Sequence, residues 1–104
     1  MRILRNASAG TLESSDAAVT VEPLPSGIEI VVEGADVRFA SRVREAAAAA
    51  LAELGAEGAK VTVRDRSALD CTVRARVLAA CLRACAQEPP GAGADPALPW
   101  EALR

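Results

Sequence analysis

Residues 28–64 read IEIVVEGADVRFASRVREAAAAALAELGAEGAKVTVR, and this passage sets the architecture that the sequence predicts. Apolar side chains occupy every second position from Ile28 to Val32, which is typical of a half-buried β-strand. A helical spacing of apolar residues follows and ends at Gly55, a residue type favoured just past a helix end. Alternation returns over 59–64 and predicts another strand. A strand, a helix and a strand of this length suit a right-handed crossover.

The helix predicted inside this passage has two candidate starts. Either Asp36 or Ser41 carries a side chain that can cap the first turn. Five consecutive alanines, 46–50, have the highest helix propensity available and let the helix lie close to a sheet. The apolar positions that define its buried face are Val43, Ala46, Ala47, Ala50, Leu51 and Leu54.

Upstream, residues 17–24 alternate in the manner of a strand, with Val19 and Val21 on one face. Pro23 limits this strand, and residues 23–27 have the composition of a turn. Because the strand that begins at Ile28 follows at once, we expect the two strands to form a β-hairpin.

Downstream, Ser67 and Asp70 resemble a capping box with Ser67 as the N-cap, and they predict a helix to about residue 86, before two prolines. The side chains predicted to face the sheet are Val73, Val77, Ala80 and Ala84. A second apolar stripe consists of Cys71, Leu78, Leu82 and Cys85. This stripe indicates either a partner or burial under the C-terminal tail.

These elements predict the α+β fold class: a two-layer β-β-α-β-α domain with a small mixed sheet and two helices packed on one face. The domain is expected to span residues 1–87. Residues 88–104 are expected to form a linker rich in Pro and Gly, followed by a tail that Leu98 and Trp100 anchor.

Composition excludes several functional classes. The 104-residue chain has a formal charge of -2, one Trp, one Phe and no Tyr, so we expect no nucleic-acid binding. It contains no His, which removes the commonest general base and a common zinc ligand, so we expect neither catalytic residues nor a metal site. Three cysteines without a CxxC pair, and no recognisable signal peptide, predict reduced thiols in the cytoplasm. No apolar run is long enough to span a membrane.

Residues 9–16, AGTLESSD, form a small polar stretch ahead of the first clear strand. On composition alone this is an ordinary exposed loop. Ser14 has no histidine to activate it and no glycine elbow around it, so it is a poor candidate for a catalytic nucleophile.

Together with two later blocks, however, this segment resembles a known family. The blocks are AGTLESSD at 9–16, ALDC at 68–71 leading into VRARV at 73–77, and LPWE at 98–101. In this order and at this chain length they resemble the acyl carrier subunits, or gamma chains, of citrate lyase.

The resemblance implies that Ser14 carries the prosthetic group 2'-(5''-phosphoribosyl)-3'-dephospho-CoA through a phosphodiester, with Ser15 as the second choice. The implied partners are the citrate lyase alpha (transferase) and beta (lyase) subunits and a prosthetic-group transferase. The thiol of the group would shuttle acetyl and citryl during cleavage of citrate to oxaloacetate and acetate, and the chain itself would be non-catalytic. Two stretches, 64–67 and 88–97, depart from the family pattern.

The sequence leaves four alternatives to compare with this interpretation. The acyl carrier of malonate decarboxylase uses the same kind of group but tends towards a Gly-Ser-Gly-Asp attachment motif. A non-covalent interaction module would dock through the second helix and Trp100. An independent enzyme lacks a candidate base. A fatty-acid carrier would be all-helical with an Asp-Ser-Leu motif, which this chain lacks.

Five further side chains have open roles. Glu13 and Asp16 would either repel the arm and offer an acidic docking patch or be solvated loop carboxylates. For Cys71, in the first helical turn, we favour a packing role over that of an acidified thiol. Arg74 and Arg76 lie about 160° apart on a helix, so at most one can face a given partner or the phosphates of the arm, and solvation is the simpler interpretation for both.

Overall fold

A computed structural model describes residues 1–85 of the chain. Its elements are β1 (Ala7–Ala9), β2 (Ala17–Pro23), β3 (Ile28–Glu33), α1 (Val37–Leu54), β4 (Ala59–Asp65) and α2 (Asp70–Cys85). The α+β class and the order β-β-α-β-α are confirmed, with the short strand β1 added in front. The linker and the Trp100 anchor predicted for residues 88–104 lie outside the described residues, as does the predicted helix end near residue 86.

The four strands form one mixed sheet in the order β1-β2-β4-β3. β2 pairs antiparallel with both β1 and β4, whereas β3 pairs parallel with β4. The parallel pair is the strand-helix-strand unit that the sequence predicts over 28–64. The predicted β-hairpin of β2 with β3 is wrong, because β4 lies between these two strands.

Burial explains which strands take the centre of the sheet. The inward side chains of β2 and β4 include four valines that are fully buried: Val19, Val21, Val61 and Val63. The edge strand β3 instead begins at Ile28, which is 44% exposed, and carries two glutamates. Placing the two complete apolar faces side by side removes more apolar surface from water than a hairpin would.

The connection between β2 and β3 crosses the start of β4 instead of turning back. Leu24 N donates a hydrogen bond to Gly58 O (2.7 Å), and Ala59 N donates one to Gly27 O (3.1 Å). Residues 23–27 therefore form a turn, as their composition predicts. The turn places β3 one strand position away from β2, and β4 occupies the position between them.

Both predictions for the ends of α1 can be resolved. Asp36 is the N-cap, since its side chain accepts a hydrogen bond from Arg38 N (2.9 Å), and Ser41 lies inside the helix. Gly55 ends the helix in the left-handed conformation (φ 63°), as its position in the sequence predicts.

The predicted cap of α2 is wrong. Ser67 has a positive φ of 65° and precedes a helix that begins only at Asp70. The carboxylate of Asp65, at the buried end of β4, instead accepts a hydrogen bond from Ala68 N (3.0 Å). The turn before α2 is thus held by a residue from the preceding strand.

The helices bury the faces that the spacing predicts. In α2 the four predicted sheet-facing side chains are buried, at 1% exposure or less: Val73, Val77, Ala80 and Ala84. In its second apolar stripe Leu78, Leu82 and Cys85 are half-buried, and Cys71 is exposed. Among residues 1–85, no helix has the length and apolar character needed to cross a membrane.

Candidate functional site

The segment that carries Ser14 connects β1 to β2 at the end of the sheet where β3 and β4 also finish. We call residues 10–16 the attachment loop, after the attachment at Ser14 that the family resemblance predicts. Ala17, which follows it, pairs with Asp65 at the last position of β4. The loop is therefore anchored at both ends by the sheet and also borders the turn that leads into α2.

The carboxylate of Asp16 organises this loop. Its Oδ2 accepts hydrogen bonds from the backbone N (3.1 Å) and the hydroxyl (2.7 Å) of Thr11, which closes the loop across five residues. Its Oδ1 accepts one from Ala17 N (2.7 Å). The Thr11 hydroxyl in turn accepts a hydrogen bond from Glu13 N (3.2 Å), so the chain immediately before Ser14 is also held.

A guanidinium from α2 completes the set of donors. Arg76 Nε donates to Asp16 Oδ1 (2.9 Å), and Arg76 Nη2 donates to Asp16 Oδ2 (3.1 Å). The side chains are only 27% and 13% exposed, so solvent screens this bidentate pair weakly. The hydrogen bonds from Arg76 are the main cause that holds the pKa of Asp16 well below its usual range; burial opposes this shift, and the bonds from Thr11 and Ala17 support it.

Backbone contacts fix the second half of the loop. Ser15 N donates a hydrogen bond to Arg66 O (2.7 Å), and Arg66 N donates one to Asp16 O (2.9 Å). Ser15 adopts a left-handed φ of 66°. At the other end of the loop, Gly10 has a φ of 90°, and an added Cβ there would overlap the carbonyl oxygen of Ala17.

Both candidate serines are exposed on the resulting turn. Within residues 1–85, the hydroxyl of Ser14 makes no hydrogen bond, so nothing must be broken before it reacts. An exposed hydroxyl on a loop that is held from both sides is accessible to an enzyme that would modify it. No cluster of His, Cys, Asp or Glu within the described part of the chain could hold a metal ion.

Three expectations for neighbouring side chains are corrected. Asp16 is a paired structural carboxylate and not part of an acidic patch or a solvated loop surface. Arg76 is its partner and is not simply solvated. Cys71 is exposed, so the packing role favoured for it is wrong. Arg74 makes a half-exposed ion pair with Glu53 of α1 (2.8 Å), while Glu13 stays exposed.

Comparison with known proteins identifies the family of the chain. Residues 4–84 match the family model described as the malonate decarboxylase delta subunit. The citrate lyase acyl carrier protein of Lacticaseibacillus casei (strain BL23) is 44% identical over 85 residues, 81% of this chain and 84% of the relative. The protein of the same name from Vibrio cholerae serotype O1 (strain ATCC 39541) is 45% identical over 87 residues, 82% of this chain and 89% of the relative. The one from Haemophilus influenzae is 39% identical over 104 residues, 99% of each chain.

The chain belongs to the family of citrate lyase acyl carrier proteins. Two of the three sequence blocks that resemble this family meet in space. Asp16 ends the first block and Arg76 lies in the second, sixty residues later, and the two side chains form the bidentate pair. The third block, at 98–101, lies outside the described residues.

Sequence reasoning missed this pairing although it singled out both residues. Opposite charges in two blocks of one family signature were the available signal. The angular positions of side chains around a helix could not reveal the pair, because they do not show which loop lies against the face of α2 that carries Arg76.

Proposed function

We propose that this acyl carrier is loaded at Ser14 with 2'-(5''-phosphoribosyl)-3'-dephospho-CoA. The observation that supports this best is the exposed, unbonded Ser14 hydroxyl on a loop that Asp16 and Arg76 hold in place. A separate prosthetic-group transferase provides the catalysis, so the carrier needs no base of its own. Ser14 Oγ would form a new P–O bond to the phosphoribosyl phosphate of an activated polyphosphate precursor, while the bond from that phosphorus to the departing phosphate groups breaks and the hydroxyl proton passes to a base of the transferase.

The carrier then works between the alpha (transferase) and beta (lyase) subunits of a citrate lyase. When attached, the group supplies the thiol on which acetyl and citryl travel as thioesters. The chain's own residues do the positioning: the loop keeps Ser14 at one end of the domain, and the sheet holds both ends of the loop. Tethering raises the local concentration of the acyl group at the partner sites to the order of millimolar.

Mass spectrometry of the purified chain tests the attachment. The chain is incubated with the prosthetic-group precursor and its transferase, and the modified peptide is fragmented. We expect an adduct larger than phosphopantetheine on Ser14, absent from Ser14→Ala and retained in Ser15→Ala. Exposed Ser26, in the connection between β2 and β3, provides the matched control Ser26→Ala. Loading of Ser15 alone, or no loading while a known carrier is modified in the same reaction, contradicts the proposal.

The family model that matches residues 4–84 favours one second candidate, the carrier of malonate decarboxylase. Loaded carrier should restore acetyl and citryl transfer to citrate lyase subunits depleted of their carrier. Restoration of malonate decarboxylation instead would select the second candidate. Ser14→Ala separates either carrier from a non-covalent docking module. In a carrier, the variant should assemble with unchanged affinity but transfer no acyl group. In a docking module, the substitution should change nothing.

A further inference from the structure

A groove opens at the same end of the sheet as the attachment loop. It lies between the first turns of α1 and the segment that joins β4 to α2, and its volume is about 390 Å³. Its apolar lining includes Phe39 and Val43 from α1 and Ala68 and Leu69 from the segment before α2. This volume falls within the range of small-molecule sites, about 300–1,000 Å³.

The attachment loop is hydrogen-bonded to the segment that forms one side of the groove. Arg66, whose backbone is bonded to Ser15 and Asp16, directly precedes the lining residues Ser67, Ala68 and Leu69. A group bound to Ser14 therefore starts beside the segment that forms one side of the groove.

The side chains at the groove are unusually exposed for their type. Leu69 is 68% exposed and Phe39 is 45% exposed, so apolar surface faces water around a concave site. The polar rim carries Arg42, which makes a loose 3.4 Å pair with Asp70, and both side chains are more than half exposed. Asp36 and Asp65 also line the groove, so its three carboxylates against one guanidinium suit uncharged polar groups better than anions.

We propose that this groove binds the acyl-bearing end of the carrier's own prosthetic group between its visits to the partner subunits. This inference depends on the proposed function. The apolar walls suit the methylene groups and the acetyl methyl of the arm, and the polar rim suits its uncharged amides. A weak site suffices, because a tethered ligand acts at an effective concentration on the order of millimolar.

Binding here has a chemical consequence. A thioester whose acyl carbon lies against Phe39 and Leu69 meets less water than one on a free arm, so the groove lowers the rate of wasteful hydrolysis. The same shelter slows reagents that attack the terminal thiol when no acyl group is present.

The test compares the thiol reactivity of loaded carriers. Loaded wild type, Leu69→Gln and Phe39→Ala are treated with iodoacetamide, and alkylation of the arm is followed by mass spectrometry separately from the cysteines. If the groove is occupied for half to two thirds of the time, both substitutions raise the alkylation rate about two- to threefold. Leu4→Gln is the matched control, since Leu4 is 45% exposed near the end of α2, away from the groove.

A second readout does not depend on reactivity. Amide chemical shifts of unloaded, loaded and acetylated carrier should differ at residues 34–43 and 65–70 as well as in the attachment loop. Equal alkylation rates in all variants, with shifts confined to residues 10–16, overturn the groove proposal. Weakened assembly with the citrate lyase subunits but unchanged thiol reactivity in Leu69→Gln also overturns it and assigns the groove to a partner. Failure of Ser14 to be loaded at all is a different result and overturns the proposed function.

Discussion

At the scale of single residues, one carboxylate connects three parts of the chain. Asp16 accepts five hydrogen bonds, from Thr11 within its own loop, from Ala17 at the start of β2 and from Arg76 in α2. The Asp16 side chain is only 13% exposed, so these donors replace most of the water that would solvate its carboxylate. Loss of one donor therefore leaves a buried carboxylate with an unsatisfied hydrogen-bonding position. Loop conformation and tertiary packing are thus coupled at one residue.

Arg76→Gln should lower the free energy of unfolding by about 2 kcal/mol, because a bidentate, partly buried charge pair is lost. The matched control is Arg74→Gln, two positions away on the same helix. Its pair with Glu53 is half-exposed, so we expect a change below about 1 kcal/mol. Urea unfolding followed by circular dichroism measures both. Equal losses in the two variants would contradict the role given to Arg76.

The cysteines should differ in reactivity. Burial, and to a smaller extent the nearby Cys85, raises the pKa of the Cys81 thiol to about 11, whereas Cys71 is exposed. Because the thiolate is the reactive form, iodoacetamide should label Cys71 first and Cys81 last in the folded, unloaded chain. Peptide mass spectrometry over time gives the order, and unfolding in urea should remove the difference. Early labelling of Cys81 under native conditions would show that α2 opens more readily than its packing implies.

At the scale of elements, local sequence determines where the strands and helices form but not which strands pair with each other. The spacing of apolar residues predicts β2, β3, α1, β4 and α2 to within a few residues of their bounds. It cannot decide whether β2 pairs with β3 or β4, since the alternation is the same in all three. The three-residue strand β1 is too short to carry a pattern at all.

The attachment loop should tolerate substitution of glycine less well than the connection between β2 and β3. Gly10 and Gly27 both have positive φ, 90° and 80°. An alanine Cβ at position 10 would overlap the Ala17 carbonyl oxygen, but at position 27 it would meet nothing within 4 Å. We expect Gly27→Ala to cost about 1 kcal/mol from backbone strain and Gly10→Ala about 3 kcal/mol or more. Thermal unfolding compares them, and Gly10→Ala should in addition slow the loading of Ser14. Equal stability of the two variants would contradict the close approach at Gly10.

At the scale of the whole molecule, the shifted pKa of Asp16 makes stability depend on pH. The pKa of Asp16 is lower in the folded chain than in the unfolded chain, where it is about 3.9. The unfolded state therefore takes up the proton first as the pH falls. The stabilisation from Asp16 is fully present above about pH 5 and is lost progressively as the pH falls below about 4.

Asp16→Asn isolates this contribution from those of the other carboxylates. We expect wild type to be more stable than Asp16→Asn at pH 7 and the difference to shrink steadily from about pH 5 to pH 2. Urea unfolding at each pH measures both proteins. A difference that does not change with pH would mean that the pairing with Arg76 adds no protonation-linked stability.

The sequence by itself determined the local structure, the family and the candidate serine. The spacing of apolar residues defines the helix faces, and Gly55 ends α1, because both depend on residues that are close together in the chain. The three sequence blocks point to an acyl carrier because they occur in the order found in that family. The expectation that Ser67 caps α2 was wrong for a related reason. The helix begins only at Asp70, and the turn before it is held by Asp65, a buried residue at the end of a strand that accepts a hydrogen bond from Ala68 N.

Only the tertiary structure decided the sheet order, the Asp16–Arg76 pair and the groove between α1 and the segment before α2. β4 separates β2 from β3 because the two most apolar strand faces are buried best side by side at the centre of the sheet. That order brings α2 beside the attachment loop and lets residues sixty positions apart share two hydrogen bonds. Such contacts depend on which surfaces become buried together, and no local pattern in the chain contains that information.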